Sequence, residues 1–105
     1  MDGWLPCKIH LKARGGRRRA YLILYDASGA LAPRWRVVLL VRHPGGAVFR
    51  VPGKVARRLG RGYAEIYLPV DAALALAAQM GVDAKKSRTI YGYAVRVKEV
   101  NPPPV

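Results

Sequence analysis

One hundred and five residues suffice for a single domain with one core and are too few for two. A chain of this length hides roughly 65% of its unfolded surface, so it needs no disulfide staple to fold. At 51% hydrophobic and 24% charged residues, the composition excludes a disordered polar segment, and no apolar run approaches the ~20 residues of a membrane span. Met1–Pro6 lacks the basic and apolar regions of a secretory signal, and the lone Cys7 has no partner for an internal disulfide. A cytoplasmic location with no membrane partner is the expectation.

Nineteen Lys and Arg against six Asp and Glu leave a formal charge of +13. A globule so charged repels itself unless a polyanion, an acidic partner or salt compensates it. Nucleic acid, DNA or RNA, is the first expectation and an acidic protein surface the second. The thirteen arginines among the bases suit bidentate contacts to phosphate or carboxylate. Asn101 and Gln79 are the only side-chain amides, which points to a heat-adapted archaeal or bacterial source. Genome composition therefore competes with binding as the reason for the arginine content.

In chain order, Cys7–Ala13 alternates apolar and polar residues as a half-buried strand does. Arg14-Gly15-Gly16-Arg17 turns it into a second strand, Ala20–Asp26, to make a hairpin. Trp35–His43, with Val37–Val41 apolar at every position, reads as a central strand covered on both faces. The turn His43–Gly46 leads into a strand over Ala47–Val51, and Pro52-Gly53 is expected to open a short basic helix ending at Gly60. Tyr63–Leu68 reads as a strand, and Pro69-Val70-Asp71 starts a helix through Met80 that Gly81 stops. Val82–Lys86 is a loop or a last helical turn, and Thr89–Val100 one long strand. The expected fold is α+β: a mixed or antiparallel sheet of five to six strands, one apolar helix and one short basic helix. A single domain covers residues 1–100, with an extended proline-rich tail over 101–105.

Val48–Gly60 and Ala64–Leu76 both run strand, proline, helix start. This pattern, at Ile66–Leu76 in particular, resembles the half-unit of swapped-hairpin DNA-binding proteins over about a dozen residues per copy. The Gly-Asp turn and closing strand that follow in that family do not line up here.

The features that carry chemistry point to binding. The six carboxylates are scattered through different elements, Asp26 in a turn, Asp71 and Asp83 at helix-start positions and Asp2 near the N-terminus, which argues against paired acid–base work. His10 and His43 lie 33 residues apart with no ligand set beside them, and no glycine loop has nucleotide-binding form. No enzyme activity, metal or cofactor is expected. The basic clusters offer phosphate contacts: Lys12, Arg14, Arg17, Arg18 and Arg19 around one turn, and Lys54, Arg57, Arg58 and Arg61 on one helical face. Trp35, between Arg34 and Arg36, is the candidate ring for base stacking. The apolar helix carries no charge between Asp71 and Gly81, so Leu74, Leu76, Ala77 and Met80 are candidates for a homo-oligomer interface.

The function expected is non-catalytic binding of nucleic acid through backbone phosphates with little sequence specificity. It rests on the basic groups gathering on one side of the molecule. The alternative is a small accessory protein that oligomerises and docks on an acidic protein assembly, such as an archaeal actin-like cytoskeletal filament.

Overall fold

The computed structural model describes residues 3–104. Seven strands and one α-helix follow in the order β1 (Leu5–Arg14), β2 (Arg17–Tyr25), β3 (Arg36–Arg42), β4 (Val48–Arg58), β5 (Tyr63–Leu68), α1 (Val70–Gln79), β6 (Arg88–Ile90) and β7 (Ala94–Asn101). Every strand pairing is antiparallel. The α+β class is as expected; the sheet, at seven strands, is larger than the five to six read from the sequence.

The sheet closes on itself. Along the ring the order is β1-β2-β5-β4-β3-β7, and β7 returns to β1 through Leu5–Val95 and Pro6–Ala94. β6 extends the cover on the same edge of β1, pairing Ile9–Leu11 with Arg88–Ile90. A closed ring has an inside and an outside, so the two-residue side-chain period sorts most of each strand, with bulges at Val38/Leu39 and Val55/Arg57 shifting the phase. Ile9, Leu11, Leu22, Leu24, Val37, Leu39, Val41, Val51, Val55, Ile66 and Val95 fill the interior.

Local chemistry sets the joints. Gly15 and Gly16, at φ 57° and 76°, make the two-residue turn between Arg14 and Arg17 that a tight hairpin requires. Helix α1 starts at the end of β5 and closes with a paired capping motif, Gly81 N–H donating to Ala78 O and Val82 N–H to Ala77 O. Its Ala73, Leu76 and Ala77 are buried against the barrel. Tyr93 Oη donates to Leu76 O at 2.7 Å and anchors the helix from below. The loop between β2 and β3 buries Leu31, at 2% exposure, by the opposite end.

Two expectations need correction. Residues 52–59 form no basic helix: β4 runs unbroken from Val48 to Arg58. Its first part pairs with β3 and its second, from Lys54, with β5. Pro52 precedes the β5 pairing, so the edge opposite β3 is open there and the missing N–H forfeits no ladder bond. Gly53 sits where β4 passes from one neighbour to the other; a Cβ on it would lie 2.7 Å from Ile66 Cγ2 and 3.1 Å from Tyr67 O. The apparent repeat thus joins a continuous strand to a strand–helix unit. The second correction concerns Thr89–Val100, which breaks into β6 and β7 at Tyr91-Gly92-Tyr93, where Gly92 takes φ 104°. The last strand also runs on to Asn101, one residue into the expected tail.

Gly53→Ala is expected to cost about 1–3 kcal/mol by overpacking, whereas Gly60→Ala, with nothing within 4 Å of its Cβ, should stay within about 0.5 kcal/mol of the parent. Thermal melts of the two variants check this. Equal melting temperatures would contradict the close β4–β5 crossing.

Candidate nucleic-acid interface

The outward residues of β1, β2, β5 and the second half of β4 form one continuous surface. Strand register arranges them in rows: His10, Tyr21, Tyr67 and Lys54 in one, and Lys8, Ile23, Glu65 and Arg57 in the next. Tyr25 and Tyr63 form a third. The centre of this surface is aromatic. Tyr21 and Tyr67 rings lie 5.0 Å apart, and Tyr25 and Tyr63 meet edge to face at 5.5 Å. Offset and edge contacts of this kind are the preferred aromatic geometries.

Cations frame the rings. Lys12 Nζ stands 5.0 Å from the Tyr21 ring centre. The phenols of Tyr21 and Tyr67 beside the Arg19 guanidinium favour its charged form and push its pKa further up. Arg14, Arg17 and Arg18 crowd the β1–β2 turn, all exposed, and no carboxylate among the described residues lies within ion-pair reach of them. The hairpin tip is the densest uncompensated charge on the molecule's strands.

A groove of about 800 Å³ opens beside this surface, over the first half of β1. Tyr25, Tyr63 and Tyr91 line it together with Trp4, Lys8 and His10, and none of the described lining residues is acidic. Trp4 lies against two guanidinium groups, those of Arg42 at 4.5 Å and Arg96 at 5.3 Å. His10 Nε2 is shut from solvent with no partner. Burial, then the charges of Lys12 and Lys8, push the His10 pKa down against a smaller upward pull from Glu65, which favours the neutral ring.

The fold treats the sequence-predicted residues differently. Lys12, Arg14, Arg17, Arg18 and Arg19 come together at the hairpin as expected. Lys54 and Arg57 do reach the same surface, but from a strand. Arg57 Nε donates to the buried Glu65 at 3.1 Å. Arg58 faces elsewhere: it donates to Asp26 Oδ2 at 2.8 Å and to Asp26 O at 2.6 Å, tying the β2–β3 loop in place. Arg61 sits exposed in a single 3₁₀ turn, Gly60–Gly62, at φ 64°. Trp35 is half-buried against the core, and Trp4 holds the cation-flanked position anticipated for it. Among the candidate interface residues, Leu76 and Ala77 are spent on the protein's own core, while Leu74 and Met80 are half-buried. Outside them, α1 exposes Asp71, Ala75, Ala78 and Gln79.

The basic groups do not gather on one side. Arg36, Arg50, Arg96 and Lys98 stand exposed on β3, β4 and β7, and Arg50 is paired with Glu99 at 3.8 Å. The reason is the closure itself, since outward positions on a ring of strands point in every direction. Trp4 and Tyr25 escaped the sequence reading because their neighbours, Arg42 and Arg96 for Trp4 and Tyr63 for Tyr25, come from other strands and only the fold assembles them.

Cys7 and His10 do not converge, because their odd and even positions put them on opposite faces of β1. Burial pushes the Cys7 thiol up to about 12, and its Sγ faces Tyr93 O at 3.5 Å. Among the described residues no three His, Cys, Asp or Glu side chains come together as a metal site, and no helix is long and apolar enough to cross a membrane. No protein-family model, curated protein or solved structure matches the chain, so its own residues carry the functional reading.

The Asp26–Arg58 pair makes a prediction about acid stability. Burial raises the Asp26 pKa, but hydrogen bonds from Ser28 Oγ, Leu31 N–H and Arg58, with the Arg58 charge, outweigh it and hold the carboxyl below its ordinary value. The resulting stability is fully present above about pH 3.9 and is lost as pH falls through the lower folded-state value. Arg58→Met should cost about 1.5–3 kcal/mol at pH 7 and flatten the acid limb of a stability–pH curve. An unchanged acid limb would contradict the assignment.

Proposed function

We propose that the protein is a non-catalytic nucleic-acid-binding domain that holds the backbone through phosphates, with little sequence specificity. The observation that carries the reading is the β1–β2 hairpin, whose Arg14, Arg17 and Arg18 lack carboxylate partners among the described residues and stand beside an aromatic surface. Crowding like charges on one two-residue turn is costly in isolation and becomes favourable when phosphates replace the repulsion. Lys12, Arg19 and Lys54 continue the positive surface along the strands, with Arg57 beside them paired to Glu65, so a backbone can follow it from the tip. The remaining exposed bases on β3, β4 and β7 supply long-range attraction without fixing a register.

Affinity for an oligonucleotide is expected to fall steeply with salt. Each phosphate contact removed should make the slope of log K against log salt shallower by about 0.7 for single strands or 0.9 for duplex. Arg17→Ala with Arg18→Ala should therefore reduce the slope by roughly 1.4–1.8 while leaving the melting temperature unchanged. Binding indifferent to salt would refute the proposal, and so would salt-sensitive capture of a protein that persists after nuclease treatment with no oligonucleotide binding.

A further inference from the structure

The groove over the first half of β1 has a structural origin. Leu5 and Pro6 pair with β7, and Ile9–Leu11 pair with β6. Between these stretches the neighbouring chain leaves the ladder at Tyr91–Tyr93, and only Cys7 N–H reaches across, to Tyr93 O at 3.3 Å. The break turns Tyr91 outward until it is 61% exposed, the most exposed of the large hydrophobic side chains. Tyr25 and Tyr63, at 47% and 41%, face the same concavity. Lys8 Nζ stands 5.9 Å from the Tyr91 ring centre.

Three exposed phenol rings in one basic concavity suit a ligand that is flat, π-faced and anionic at its edges. At about 800 Å³ the groove falls within the ~300–1,000 Å³ of ligand clefts. An apolar peptide would leave Lys8 in the lining without an anionic complement, and an acidic peptide would leave the rings without a flat partner. A strand of nucleic acid satisfies both, with bases on rings and phosphates on cations. Duplex ends its usefulness here: its bases already stack on one another, and extracting one costs a few kcal/mol.

Resting on the nucleic-acid reading above, we propose that this groove is a single-strand site, in which unpaired bases stack on Tyr91, Tyr25 and Tyr63 while the hairpin arginines hold the flanking phosphates. The domain therefore prefers single-stranded nucleic acid to duplex, through rings that the phosphate contacts alone do not require.

Fluorescence anisotropy with a labelled 12-nucleotide strand, its duplex and an abasic strand of the same length tests this. The single strand should bind tightest, with the abasic strand and the duplex both weaker at equal salt. Tyr91→Ala should weaken single-strand binding roughly 5- to 150-fold, the range for loss of a stacking ring. It should leave the duplex and the abasic strand within twofold of the parent, and Tyr91→Phe should restore the preference. Arg17→Ala with Arg18→Ala should weaken all three probes together. If duplex binds as well as the single strand, or Tyr91→Ala weakens every probe alike, the groove assignment is overturned while phosphate binding stands. If no probe binds, both proposals fail. Concentration-dependent dimers that Tyr91→Ala abolishes, without single-strand preference, would make the groove a contact between copies and overturn the assignment as well.

Discussion

Strand β1 is paired on both edges, with β2 along one and with β7 and β6 along the other. That double pairing turns a curved sheet into a closed barrel, and the rest of the molecule follows from it. Closure leaves only short stretches of open edge in the ring, at the start of β4 and the end of β7. It also forces each strand to give one set of side chains to the interior and the other to water. A chain with +13 formal charge has no choice but to carry that charge all round its circumference. The same closure brings β7 to β1 imperfectly, and the irregular Tyr91–Tyr93 stretch on that seam opens the groove.

Much of this was legible in the residues and some was not. β1, β5 and α1 were plain, because alternation in Cys7–Ala13, the Tyr63–Leu68 run and the Pro69–Gly81 bracket each have one reading. Val55 with Leu59, between Lys54, Arg57 and Arg58, also fits a helical spacing, and Pro52-Gly53 looks like a helix opener. What decided for a strand was tertiary: β3 claims one edge of β4 and β5 the other, and a bulge between Val55 and Arg57 restores the outward face. No local pattern announces that. In the fold, Ala73, Leu76 and Ala77 of the uncharged helix meet the barrel, Leu74 is half-buried, and Asp71, Ala75, Ala78 and Gln79 are exposed.

The site divides in the same way. The hairpin arginines lie within a few residues of each other, so proximity in sequence was proximity in space. Arg58 was misleading, because an exposed cation and one recruited by Asp26, at 28% and 13% side-chain exposure, look alike in a sequence. Trp4 sits beside no base in the chain, and Arg42 and Arg96 reach it only because β7 pairs with the start of β1 and β3 lies next along the ring. A basic–aromatic surface was thus foreseeable as a composition and not as a place. The fold supplies the place by setting a tyrosine platform along the same strands as a highly charged turn.

The central claim is that nucleic acid lies along the outer face of β1, β2 and β5, from the Arg14–Arg17 turn to the Tyr91 groove. Backbone amide shifts followed by NMR during titration with a short single strand test it most directly. The account predicts that the perturbed amides cluster in residues 8–25, 63–67 and 91–93, with α1 and β3 silent. Shifts concentrated on α1 or on the β3–β7 side, or a uniform small drift over the whole barrel, would contradict it.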